Sequence, residues 1–82
     1  MDKVAFKTDI LNKLKMRSSD ESIRSVLFKY KQLGMDKDTM YNCLESLRSE
    51  LRENGDELSE EKIMDYMDYV VGWCSPNMRI YP

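Results

Sequence analysis

The feature that most constrains this chain is a series of helix start and stop signals that divide it into amphipathic segments. One start signal is Asp36, a good N-cap residue, with Met35 and Met40 in the two positions of a hydrophobic staple. Another is a capping box in which the Ser18 hydroxyl accepts from the amide of Glu21. Such signals predict helices that begin at defined residues.

The last start signal repeats the staple, with Ser59 as the N-cap between Leu58 and Ile63. Stop signals follow three of the segments, at Gly34, Gly55 and Gly72. The predicted helices span about residues 2–16, 19–33, 37–53 and 60–71, and a short extended tail covers 73–82. Short connections between amphipathic helices indicate an all-α fold, a compact four-helix bundle formed by residues 1–82 as a single domain.

Composition argues against the common kinds of catalytic and metal site. The chain has no histidine, the residue most used for acid–base chemistry near neutral pH and as a metal ligand. Its two cysteines, Cys43 and Cys74, are far apart, and its three glycines form no phosphate-binding cluster. We therefore expect no enzyme activity, no metal and no cofactor.

The sequence also indicates where the protein resides. No apolar run approaches the roughly 20 residues that a membrane-spanning helix needs. Charged residues near the N-terminus interrupt any signal-peptide pattern, and the two cysteines suggest no disulfide framework. We therefore expect a soluble cytoplasmic protein.

Charge is unevenly distributed along the chain. Residues 1–33 contain eight basic and four acidic residues, whereas residues 34–82 contain five basic and eleven acidic residues. Over residues 56–68 only Lys62 opposes the acidic side chains. The fourth predicted helix should therefore attract a basic partner, although a charged helix face is also common on surfaces that bind nothing.

The fourth predicted helix divides into three arcs at 100° per residue. An apolar arc should face the core, and it contains Ile63, Met64, Met67, Val70 and Val71. Beside it lie an acidic arc and an aromatic arc, and large aromatic rings next to carboxylates are typical of protein interfaces. The candidate partner-binding residues are Glu57, Glu61, Asp65, Tyr66, Asp68, Tyr69 and Trp73. We expect Tyr66 and Tyr69 to be exposed, while the position of Trp73 after Gly72 also favours burial under the tail.

The tail residues from Gly72 to Pro76 and from Met78 to Tyr81 resemble the C-terminal signature of small helical bacterial immunity or antitoxin proteins. This resemblance implies a bacterial source and a toxin-neutralising role. The immunity proteins of nuclease colicins are similar in theme, since they are acidic helical domains that bind through tyrosines among carboxylates. This chain lacks their short tyrosine-pair helix before a proline.

The resulting hypothesis is an inhibitor that binds a basic toxin, a nuclease, and covers its active or substrate-binding surface. An alternative is a phage or prophage protein that acts on a host protein through the same surface. A third is a small DNA-associated regulator that uses the basic first helix, with Lys3, Lys7, Lys13, Lys15 and Arg17. Those residues interleave with an apolar stripe as on any surface helix, so nucleic-acid binding is the weaker interpretation.

Overall fold

Four helices make up most of the chain in a computed structural model, which describes residues 3–17, 19–72 and 79–81. They are α1 (Lys3–Lys15), α2 (Asp20–Gln32), α3 (Lys37–Glu53) and α4 (Glu57–Val71). The described residues contain no strand, and the helices pack into a compact bundle. The predicted all-α four-helix fold is therefore confirmed.

Side-chain N-caps start three of the helices, as predicted, but two of the capping residues differ from the predicted ones. Asp36 caps α3, and its carboxylate accepts from the Thr39 amide at 2.7 Å. The N-cap of α2 is Ser19, one residue later than predicted, and its hydroxyl accepts from the Ser22 amide at 3.2 Å. Each cap satisfies an amide that the first helical turn leaves without an intrahelical partner.

The predicted start of α4 at Ser59 is wrong. Asp56 is the N-cap, and its carboxylate accepts from the Ser59 amide at 3.2 Å, so α4 begins one turn earlier than predicted. The predicted staple partner Leu58 is 77% exposed. Aspartate and serine are similarly good N-cap residues, and Asp56 directly follows the turn that ends α3, so the helix starts at the first of the two.

A single cluster of apolar residues forms the core, with contributions from all four helices. The apolar stripe of α3 is buried throughout, and it consists of Met40, Cys43, Leu44, Leu47 and Leu51. From α1, Phe6 packs edge-on against Tyr30 of α2 with ring centroids 5.0 Å apart. The Tyr30 hydroxyl donates to the Asp9 carboxylate, which gives the ring's polar end a partner at the edge of the core.

Helices α3 and α4 form the most extensive helix pair, as expected for a hairpin with a three-residue connection. Helix α1 packs on both α2 and α3, whereas α2 and α4 make little direct contact. The C-terminal tail bridges these last two helices. Ile80 donates its amide to the Tyr69 carbonyl of α4 at 3.0 Å, and Lys31 of α2 donates to the Ile80 carbonyl at 2.8 Å.

Two further contacts anchor the tail. The Ile80 side chain is only 1% exposed, and the Tyr81 hydroxyl donates to the Met35 carbonyl between α2 and α3. The chain can turn back because Gly72 ends α4 in the left-handed conformation, with φ +89°. A side chain at that position would be strained and would also crowd Arg79. Ile80 therefore covers part of the bundle, whereas Trp73, for which the sequence favours burial under the tail, lies outside the described residues.

The cap at Asp36 predicts a pH-dependent contribution to stability. Hydrogen bonds from Thr39 hold the pKa of the Asp36 carboxyl below its ordinary value of 3.8. A depressed pKa in the folded state stabilises the fold above the ordinary pKa, and this contribution disappears as the pH falls through the folded-state value. Thermal melts should therefore show that Asp36→Ala lowers the Tm at pH 7 and has a smaller effect near pH 2. An equal effect at both values would contradict the charged cap.

Candidate functional site

Four of the predicted partner-binding residues form an exposed acidic stripe on α4. They are Glu57, Glu61, Asp65 and Asp68, and all four are exposed. Their spacing of four, four and three residues keeps them on one side of a helix with 3.6 residues per turn. At 1.5 Å per residue the stripe is about 16 Å long, which is enough to contact a protein surface over three helical turns.

The opposite side of α4 faces the core and includes one residue that was predicted to bind a partner. Tyr66 is 0% exposed, so the expectation that it is accessible is wrong. It shares the buried face with Ile63, Met67 and Val70. Helix α3 covers one side of α4, and Ile80 covers it near Tyr69. The buried face of α4 is therefore wider than its aliphatic residues alone indicate. Tyr66 is therefore a core residue.

Tyr69 occupies an intermediate position. It is half-buried against the core, and its ring lies 6.3 Å from that of Tyr66. Its carbonyl accepts the Ile80 amide, so this part of α4 holds the tail. Trp73, the last aromatic residue of the predicted set, lies outside the described residues. The tyrosines of α4 thus contribute chiefly to packing and not to an exposed aromatic surface beside the carboxylates.

Apolar side chains border the acidic stripe on the edge away from Tyr69. Met64 was predicted to face the core but is 45% exposed. It opens onto a cleft of about 270 Å³ between α3 and α4, which is lined by Tyr41, Arg48, Met64, Met67, Asp68 and Val71. Asp68 belongs to both the cleft and the stripe. The two features therefore form one continuous surface with an apolar recess beside a row of carboxylates.

The α3 residues of this cleft, Tyr41 and Arg48, were not identified from the sequence. They are seven residues apart and therefore lie on the same side of the helix, next to the buried stripe. Tyr41 is partly buried against the core. A helical-wheel analysis of α3 could have found this pair, but only the packing of α3 on α4 shows that the two residues meet Met64 and Val71.

Cations are sparse around the acidic stripe. Arg52 of α3 lies 3.6 Å from Glu60, which is outside the stripe and mostly covered. An ion pair with one exposed partner contributes little to stability. Lys62, three residues before Asp65, lines a separate cleft with Leu14, Arg17, Leu58 and Ser59, and within the described chain it forms no ion pair with the stripe. The four stripe carboxylates are exposed and form no ion pair among the described residues, and Arg48 is the cation that lines the same cleft as Asp68.

The basic residues of α1 form a less coherent surface. Lys3 and Lys7 line a cleft of about 240 Å³ between α1 and α3, but Lys7 lies 3.5 Å from the Glu50 carboxylate. Cys43 is at the same cleft and is 5% exposed. Burial raises the pKa of its thiol, which favours the neutral, unreactive form. Of the two lysines at this cleft, Lys7 is paired with Glu50, and Lys3 lies beside the exposed Val4.

Two features absent from the described residues bear on other kinds of function. No group of three or more histidine, cysteine, aspartate or glutamate residues among them is arranged to hold a metal ion. None of the helices in the described part of the chain is long and apolar enough to cross a membrane. The exposed carboxylates of α4 are complementary in charge to a cationic molecule. Comparison of the chain with protein-family models, curated proteins and solved structures finds no match.

Proposed function

We propose that this protein is an immunity-type inhibitor that binds a basic protein toxin, a nuclease, and covers its substrate-binding surface. The observation that supports this proposal best is the exposed stripe of four carboxylates on α4. A nuclease must present positive charge to bind phosphate, so its substrate-binding surface is the complement of such a stripe. Inhibition then requires only that the inhibitor occupy that surface.

The arrangement of charged and apolar groups suits rapid and lasting binding. Exposed charges of opposite sign accelerate encounter, and the effect weakens as salt screens them. Apolar groups that lose their water in the complex mainly slow dissociation. The acidic stripe supplies the first contribution, and the adjoining cleft at Met64 supplies apolar surface for the second.

Charge reversal in the stripe tests the electrostatic part of this proposal. Asp65→Lys should slow association with the toxin several-fold at low ionic strength and have a smaller effect at high salt. Glu21→Lys, at an exposed position on α2, makes the same change in net charge away from the stripe and is the matched control. Surface plasmon resonance gives both rate constants, and a thermal melt of each variant excludes unfolding.

The toxin for this test is sought among the nuclease domains encoded by neighbouring genes. Each domain is expressed with and without this protein, and growth is recorded. Recovery of growth with the parent protein and loss of protection with Asp65→Lys would support the proposal. If no neighbouring domain is neutralised, the proposal is wrong. If Glu21→Lys slows association as much as Asp65→Lys does, the stripe is not the binding surface.

A further inference from the structure

The cleft between α3 and α4 combines a buried floor with accessible walls. Met67 is 7% exposed and lies at the floor, whereas Met64 is 45% exposed at the rim. Tyr41 and Val71, both partly buried, complete the apolar lining. Methionine side chains are flexible and polarisable, so they adapt to an inserted group more readily than branched residues do. The cleft is therefore suited to receive an apolar group from outside.

The size of the cleft limits what can occupy it. Its volume of about 270 Å³ is below the range of about 300–1,000 Å³ that is typical of pockets for drug-sized ligands. A single bulky side chain is a better match. Protein interfaces commonly place one large apolar side chain in such a recess, where it contributes much of the binding energy.

The charges around the cleft indicate what should flank that side chain. On the α4 side the rim is negative at Asp68 and continues into the acidic stripe. On the α3 side Arg48 repels cations and can donate to carbonyl oxygens of an incoming chain. Lysine or arginine residues of a bound segment would therefore lie over α4, with their apolar neighbour directed toward α3.

We infer that this cleft binds one bulky apolar side chain, aromatic or aliphatic, from a positively charged segment of the partner protein. The inference rests on the proposed function and specifies the chemistry of the segment that the inhibitor contacts. Met64 and Val71, and not the tyrosines of α4, are the apolar contact residues of this surface. The acidic stripe then binds the basic residues beside the inserted side chain.

Two synthetic peptides can test this inference without the toxin. One has a central phenylalanine between two pairs of lysines, and the other has serine in place of phenylalanine. Methyl NMR at low salt follows the methionine and valine signals of the intact protein. Since burying a phenylalanine side chain is worth about 1.5–3 kcal/mol, the phenylalanine peptide should bind at least about tenfold more tightly. It should also shift the signals of Met64 and Val71.

A pair of variants on α4 makes the test specific. Met64→Ala should remove most of the difference between the two peptides, with binding then followed at Val71. Leu58→Ala is the matched control, because Leu58 is 77% exposed on the same helix but outside the cleft. The inference would be overturned if the phenylalanine peptide lost its affinity advantage over the serine peptide in Leu58→Ala but kept it in Met64→Ala. The apolar side chain would then bind at Leu58.

The remaining outcomes separate this inference from the proposed function. If both peptides bind equally and shift only signals near the stripe, the cleft is not an anchor site, while the electrostatic basis of the proposed function stands. If neither peptide binds even at low salt, the stripe does not recognise cationic segments. That result contradicts both the inference about the cleft and the proposed function.

Discussion

Replacing Tyr66 by alanine is expected to lower the free energy of unfolding by about 3–5 kcal/mol, as large-to-small changes at buried aromatic residues do. Tyr66 is fully buried on the core-facing side of α4. By the usual range per residue, a domain of this size has a total stability of roughly 4–12 kcal/mol, so the variant should lose a large fraction of it. Urea denaturation followed by circular dichroism measures the change.

The matched control for this prediction is Tyr69→Ala, since Tyr69 lies on the same helix and is only half-buried. Its destabilisation should be clearly smaller. Similar unfolding curves for Tyr66→Ala and the parent protein would show that Tyr66 is not a core residue. The comparison also bears on binding experiments, because a loss of partner binding in Tyr66→Ala would reflect unfolding and not the loss of a contact.

Truncation of Ile80 is expected to have the second-largest effect. Ile80→Ala removes a side chain that is 1% exposed and should lower the free energy of unfolding by about 2 kcal/mol. This is the lower end of the range for truncation of a buried isoleucine, because a chain terminus relaxes around the gap more easily than a helix does. For a domain of this size that loss corresponds to a fall in Tm of about 8–16 °C. Differential scanning calorimetry provides the measurement.

Arg79→Ala is the control for the tail, since Arg79 is exposed and directly precedes Ile80. It should change the Tm by much less. An unchanged Tm in Ile80→Ala would mean that the tail does not contribute to the bundle. The tail would then be available to pair with another chain.

Much of the fold was predictable because local signals and packing agree. The staple of Met35 and Met40 around Asp36 is present, with both methionines buried and the cap formed. The apolar stripe of α3 is regular, so its buried side follows directly from its period. Both features depend on residues near each other in sequence, and no distant part of the chain alters them.

The candidate site was predictable only in its charges. The period of α4 shows which residues share a side, but the position of its buried face depends on what packs against it. The tail lies at the Tyr69 edge, so the buried face extends to Tyr66 and leaves Met64 accessible. That contact joins Tyr69 of α4 to Ile80, a residue beyond the C-terminal end of the helix, and no helical pattern describes it. The sequence therefore places aromatic side chains beside the acidic stripe at Tyr66 and Tyr69, whereas the structure buries Tyr66 and exposes Met64 at the cleft on the other side of the stripe.

The tail contacts also have a consequence for the order of folding. Lys31 and Ile80 are 49 residues apart in sequence, and Met35 and Tyr81 are 46 apart. Contacts at such separations require a large loop to close, whereas the α3–α4 hairpin forms from neighbouring segments. The seam between α2 and α4 should therefore close after the helical hairpins have formed. In the native state the same seam should open first, as a local fluctuation that leaves the α3–α4 pair and its acidic stripe intact.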